Sequence, residues 1–129
     1  MERRNLRRWL CMLALMTAVS LLAACGADCW WSGRGEAWID QNEDGVRNSD
    51  ELPLAGVKFM VGSSEPIIGA EDGSVDFYIF LGGCPPKIDL EVHVATPAGY
   101  RLTTEPRVRV SKEGEVVRFG FVPVEGQNP

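Results

Sequence analysis

Catalytic side chains are scarce in this chain. His93 is the only histidine, it stands in a run that alternates polar with apolar residues, and no partner base or nucleophile accompanies it in sequence. General acid–base and nucleophilic chemistry need such partners within hydrogen-bond reach. There is no nucleophile-elbow motif and no carboxylate pair outside one acidic loop, so His93 reads as a solvent-facing residue and the chain as a non-enzyme. Basic residues are also few: 13 Lys and Arg stand against 18 Asp and Glu, for a net charge of −5. Phosphate backbones are held by clustered Lys and Arg, which excludes a nucleic-acid partner. After residue 25 no stretch keeps helical apolar spacing for three turns, and there is no internal repeat or low-complexity tract.

What is present begins at the N-terminus. Arg3, Arg4, Arg7 and Arg8 precede an uncharged apolar run over 9–24. A basic segment followed by a short apolar one is the pattern of a secretory signal. The other reading is an uncleaved membrane helix, for which the run falls short of the roughly 20 residues that span a bilayer. The run closes Leu22-Ala23-Ala24-Cys25, which resembles the lipobox of bacterial lipoprotein precursors. The resemblance implies cleavage after residue 24, lipid on the sulfur of Cys25 and a place on the outer side of the membrane. It also implies two or three acyl chains, which meets the requirement of more than one for stable anchoring. Loss of Glu2 and the four arginines leaves 9 basic against 17 acidic residues, a net charge of −8.

On this division Cys11 leaves with the signal, Cys25 takes the lipid, and Cys29 and Cys84 remain. In an oxidising compartment two thiols permit one disulfide. It would close about 55 residues, worth roughly 4 kcal/mol in the chain-entropy model, and would staple a short stalk over 25–34, with Trp30 and Trp31 near its end, against the domain. Two unpaired thiols are the alternative.

Downstream, alternation of period two recurs. Val57, Phe59 and Val61 form one apolar face; Val75, Phe77 and Ile79 a second; Ile88, Leu90, Val92 and Val94 a third; Val117, Phe119 and Phe121 a fourth. Each is the signature of a half-buried strand. Shorter strands fit 36–39, 66–68 and 107–110, with Gly, Pro and Asp turn signals between them. About seven closely spaced strands predict an all-β fold, a single antiparallel β-sandwich over 35–123 with a tail at 124–129.

The segment with chemistry is Asp40-Gln41-Asn42-Glu43-Asp44-Gly45-Val46-Arg47-Asn48-Ser49-Asp50-Glu51. It fills every fixed position of the calcium-loop pattern D-x-D/N-x-D/N-G-x5-E. Alternate residues of a tightly wound loop turn their oxygens to one centre, and Gly45 allows the sharp reversal. Asp40, Asn42 and Asp44 are candidate side-chain ligands and Val46 a carbonyl ligand. Asn48 would bind directly or through water, and Glu51 would bind with both oxygens. Six or seven oxygens at flexible distances suit Ca²⁺ over Mg²⁺. A merely solvated acidic turn is the competing reading. Helices flank such a loop in an EF-hand; here only 36–39 lies between Gly35 and Asp40, and Pro53 and a strand follow.

Gly35-Glu36-Ala37-Trp38-Ile39-Asp40 through Glu51, followed by Leu54-Ala55-Gly56-Val57-Lys58-Phe59, resembles the opening of the SD-repeat B domain family of bacterial surface adhesins. That family is related to the collagen-adhesin B-type (prealbumin-like, Ig-like) sandwiches. Asp72-Gly73 before Phe77 is similar to its central turn, and Pro97-Ala98-Gly99-Tyr100-Arg101-Leu102-Thr103 to its P-x-G-Y-x-x-T corner. The resemblance implies a calcium-stabilised cell-surface module with a structural, adhesive or presentation role. Trp38 is expected to pack beside the loop. Trp30 and Trp31 are expected to pack near Cys29; a carbohydrate- or protein-binding aromatic pair, or a membrane-interface contact, is the alternative. Glu65, Glu71 and Asp72 are read as solvated loop residues.

Overall fold

Alternating burial along short strands organises the domain, as seen in a computed structural model that describes residues 2–22 and 26–126. Cys25, the residue expected to carry lipid, lies outside the described residues. A helix, α1 (Glu2–Leu22), precedes eight strands: β1 (Trp30–Ile39), β2 (Lys58–Val61), β3 (Ile67–Ile68), β4 (Ser74–Phe80), β5 (Leu90–Ala95), β6 (Tyr100–Leu102), β7 (Arg107–Val110) and β8 (Val116–Pro123). Among the described residues no helix is long and apolar enough to cross a membrane.

The strands form two four-stranded sheets, ordered β4-β1-β8-β6 and β3-β2-β5-β7. The predicted alternating faces meet between them. Phe59 of the second sheet lies edge-on to both Phe77 and Phe119 of the first, with ring centroids 6.0 Å away in each case. Trp31 stacks on Phe77 at 6.0 Å, and Val57, Val61, Val92, Val110, Val117 and Phe121 fill the same core. At the β7 edge Arg107 pairs with Glu91 and Arg109 with Asp89, and charge on an edge strand discourages pairing with another chain.

Four features differ from the sequence reading. The pairing is not wholly antiparallel: β1 and β8 run parallel, from Arg34 opposite Val116 to Ile39 opposite Phe121. These strands come from distant parts of the chain, so no hairpin dictates their sense. The eighth strand, β6, is the short segment that leaves the Pro97-Ala98-Gly99 turn, which reads in sequence as a corner alone.

The third difference is that β1 starts at Trp30, so residues 30–34, expected in a stalk, belong to the first sheet. The inward positions of β1 are Trp31, Gly33, Gly35 and Ala37, and the glycines hide the apolar alternation. Aromatic rings occupy the space instead: a Cβ on Gly33 would lie 2.4 Å from the Trp31 ring, and one on Gly35 2.8 Å from Phe59 and 2.9 Å from Phe77. His93 also departs from expectation. It lies in the middle of its sheet, opposite Met60 on β2 and Arg107 on β7, and is half-buried with Nδ1 enclosed and unpartnered.

A disulfide joins Cys29 to Cys84, with Cα atoms 5.0 Å apart. It ties the start of β1 to the loop that follows β4. Gly35→Ala should overpack the core and cost about 1–3 kcal/mol, read as a lower urea midpoint. Gly26→Ala, whose Cβ meets nothing within 4 Å, is the neutral control, and equal midpoints for the two variants would refute the packing account.

Candidate metal centre

The acidic loop leaves the end of β1 and returns across it. Ile39 donates its amide to Leu52 O at 2.8 Å, Leu54 donates to Ala37 O at 3.0 Å, and Trp38 bridges Pro53. Trp38 occupies an outward position of the sheet, yet it is only 1% exposed, because the returning segment covers it. The expectation that Trp38 packs beside the loop is met.

Asp40 is fully buried. Its amide donates to Phe121 O at 2.8 Å, which fixes the loop entrance to β8. Its Oδ2 accepts from the Gly45 amide at 2.9 Å and from the Thr103 hydroxyl at 2.5 Å. Its Oδ1 is enclosed and has no hydrogen-bond partner. Gly120 makes this approach possible: a Cβ there would lie 2.5 Å from Thr103 Oγ1, 3.0 Å from the Trp38 ring and 3.1 Å from Asp40 Cβ.

The remaining candidate ligands wind round the same loop. Asn42 Oδ1 accepts from the Asp44 amide at 3.2 Å, and Asp44 Oδ1 from the Val46 amide at 2.8 Å. Asp44 Oδ2 accepts from the side-chain amides of Asn42 at 2.9 Å and Asn48 at 3.3 Å. Asn48 Nδ2 also donates to Val46 O at 3.2 Å, so Asp44 Oδ2 and the Val46 carbonyl face one polar group. The Glu51 carboxylate, nine-tenths buried, closes the loop by accepting from the Gln41 amide at 3.1 Å and the Asn48 amide at 2.9 Å. Gly45 takes φ +71° and Glu43 φ +58°, the left-handed turns that let alternate side chains face inward.

The Val46 amide outweighs desolvation and, with lesser help from the side chains of Asn48 and Asn42, holds the Asp44 carboxyl below its ordinary value of 3.8. A carboxyl lowered on folding stabilises the folded loop above its unfolded value and loses that contribution as pH falls through the folded value.

This donor set fits a hard cation in composition. Asp40 Oδ1 is buried and unmatched, two further oxygens face a common point, and each Glu51 oxygen keeps a lone pair beyond the one its amide uses. The Asn amides present N–H groups to their neighbours, and a half-turn of each would present oxygen instead. Among the described residues no three His, Cys, Asp or Glu stand close enough to hold a metal, so the structure does not gather the Asp40, Asp44 and Glu51 carboxylates round one point.

Several residues that shape the site carried no role in the sequence reading. Thr103 ends the P-x-G-Y-x-x-T corner, which was the available signal for it. Arg101 of β6 pairs with Glu43 and Arg47 with Glu36, fastening the loop to the outer face of the first sheet; their types and spacing gave no sign of it. The Trp pair divides: Trp31 is fully buried as expected, whereas Trp30 is 60% exposed.

No model of a known protein family matches the chain, and neither does any curated protein. The likeness to SD-repeat B domains rests on the motif residues alone.

Thr103→Val would remove one of the two donors to Asp40 Oδ2, and a buried acceptor stripped of a partner costs about 1–3 kcal/mol. The expected result is a lower urea midpoint with unchanged slope, against no change for the exposed control Thr96→Val. A Thr103→Val midpoint equal to the unmodified protein would remove Thr103 from the site.

Proposed function

We propose that the protein is a cell-surface lipoprotein, anchored through Cys25, whose SD-repeat B-type sandwich is stabilised by calcium in the 40–51 loop and serves a structural, adhesive or presentation role. The observation that carries the calcium reading is the Asp40 carboxylate, enclosed at zero exposure with one oxygen unmatched. A carboxylate taken out of water costs several kcal/mol unless opposite charge or hydrogen bonds offset it. Asp40, Asn42, Asp44, Asn48, Glu51 and the Val46 carbonyl would hold the ion, which supplies the positive charge that three carboxylates in one short loop lack.

The position of the loop supports the presentation role. β1 carries the chain from the disulfide at Cys29 to Asp40 in one ten-residue strand, roughly 33 Å at the usual rise of a strand. With lipid on Cys25, the loop sits at the end of the domain away from the membrane, where a protein or glycan partner would meet it. Stiffening that end is what a module held out from a surface requires.

Calcium that binds only the folded state adds RT ln(1 + [Ca²⁺]/Kd), about 2.7 kcal/mol at a hundredfold excess over Kd. The purified protein should therefore melt at a higher temperature in millimolar Ca²⁺, the range in which extracellular modules commonly bind, and much less so in Mg²⁺. Asp40→Ala and Glu51→Ala should each abolish the increment. A calcium-dependent rise that survives in both variants rejects the site, and the lack of any rise in the unmodified protein rejects the metal.

A further inference from the structure

Three large rings stand in water at one corner of the first sheet. Trp30 is 60%, Tyr78 71% and Phe80 50% exposed. Trp30 and Phe80 are register partners on β1 and β4, with ring centroids 5.0 Å apart. Tyr78 lies two residues along β4 and so on the same outer face. The core does not use these rings, and a cluster of exposed apolar side chains, unlike a single one, calls for a partner.

We propose that this cluster beds the domain into the lipid–water boundary of the membrane that holds the Cys25 anchor; the proposal rests on the lipoprotein reading above. Three observations select lipid as the occupant. The first is reach. Trp30 is five residues from Cys25, at most about 18 Å of extended chain, and the Cys29–Cys84 disulfide fixes the emerging chain beside β4. The second is chemistry. All three side chains are aromatic, and Trp and Tyr are the types that favour the interfacial layer.

The third is a change of polarity along the same face. Immediately beyond the rings, Arg34 pairs with Asp76 at 3.0 Å, and then Glu36 accepts from Arg118 at 3.0 Å. The face is apolar next to the anchor and ionic beyond it, as a domain seated on a bilayer by one corner needs. A sugar stacked on the rings would want several free hydrogen-bonding groups nearby, but the Ser32 hydroxyl is bonded to Glu113 and Arg34 to Asp76, which leaves it chiefly the exposed Tyr78 hydroxyl. Attraction to anionic lipid is not required, so the contact should be insensitive to salt.

In residues 26–126 Trp31 and Trp38 are buried and Trp30 carries the exposed indole, so Trp30 reports on the contact. The full-length protein, produced with lipoprotein processing, would be reconstituted into phosphatidylcholine vesicles, with bromine-labelled lipid as quencher. The expected result is a blue-shifted emission and strong quenching at both low and high salt. Trp30→Ser should abolish the quenching, and Tyr78→Ser/Phe80→Ser should reduce it at least twofold, with melting temperatures confirming that both variants fold. A protein that carries lipid on residue 25 and floats with vesicles, but whose Trp30 is not quenched, overturns the docking and leaves the anchor standing. A protein without that lipid, floating no differently from Cys25→Ser, overturns both. A blue shift in lipid-free solution that grows with protein concentration, or on adding soluble oligosaccharide, assigns the face to a second copy or a glycan and overturns the proposal.

Discussion

The end of β1 must take a carboxylate wholly out of water, and much of the molecule is arranged around that demand. Asp40 is held from three directions: its own amide by β8, and one side-chain oxygen by Gly45 within the loop and by Thr103 beyond β6. These contacts need Gly120 to lack a side chain and Trp38 to be covered by the returning segment at Pro53. A buried acceptor with an unmatched oxygen is expensive in a low-dielectric interior. The loop that encloses it therefore ties β1, β6 and β8 together.

The strands with aliphatic and aromatic alternation were legible in sequence because burying one face imposes a period of two whatever the partner strand. Val75, Phe77 and Ile79, or Val117, Phe119 and Phe121, needed no knowledge of the fold. The first half of β1 was not legible, since at Gly33 and Gly35 the core is filled by rings that belong to Trp31, Phe59 and Phe77. Inward glycine records the shape of its neighbours, and its own chemistry says nothing of strand. The parallel sense of β1 and β8 was invisible for a related reason, because register between segments some 80 residues apart leaves no local trace.

The loop was legible at a different level. Ligand-type residues at alternate positions around Gly45 can be counted along the chain, and the structure winds them with the side-chain-to-backbone bonds that such spacing favours. Thr103 and Gly120 could not be counted in the same way. They reach Asp40 only through sheet neighbours, β6 beside β8 and β8 beside β1.

Strand sense has a mechanical meaning. Because β1 and β8 run the same way, tension applied between Cys29 at the start of one and Pro123 at the end of the other pulls the two strands past each other lengthwise. The cross-strand hydrogen bonds between 34–39 and 116–121 then share the load together, where a hairpin pulled at its open end would unzip one rung at a time. The disulfide passes part of the same tension to the chain beyond β4, so a pull that enters at the start of β1 is shared between β1 and that loop.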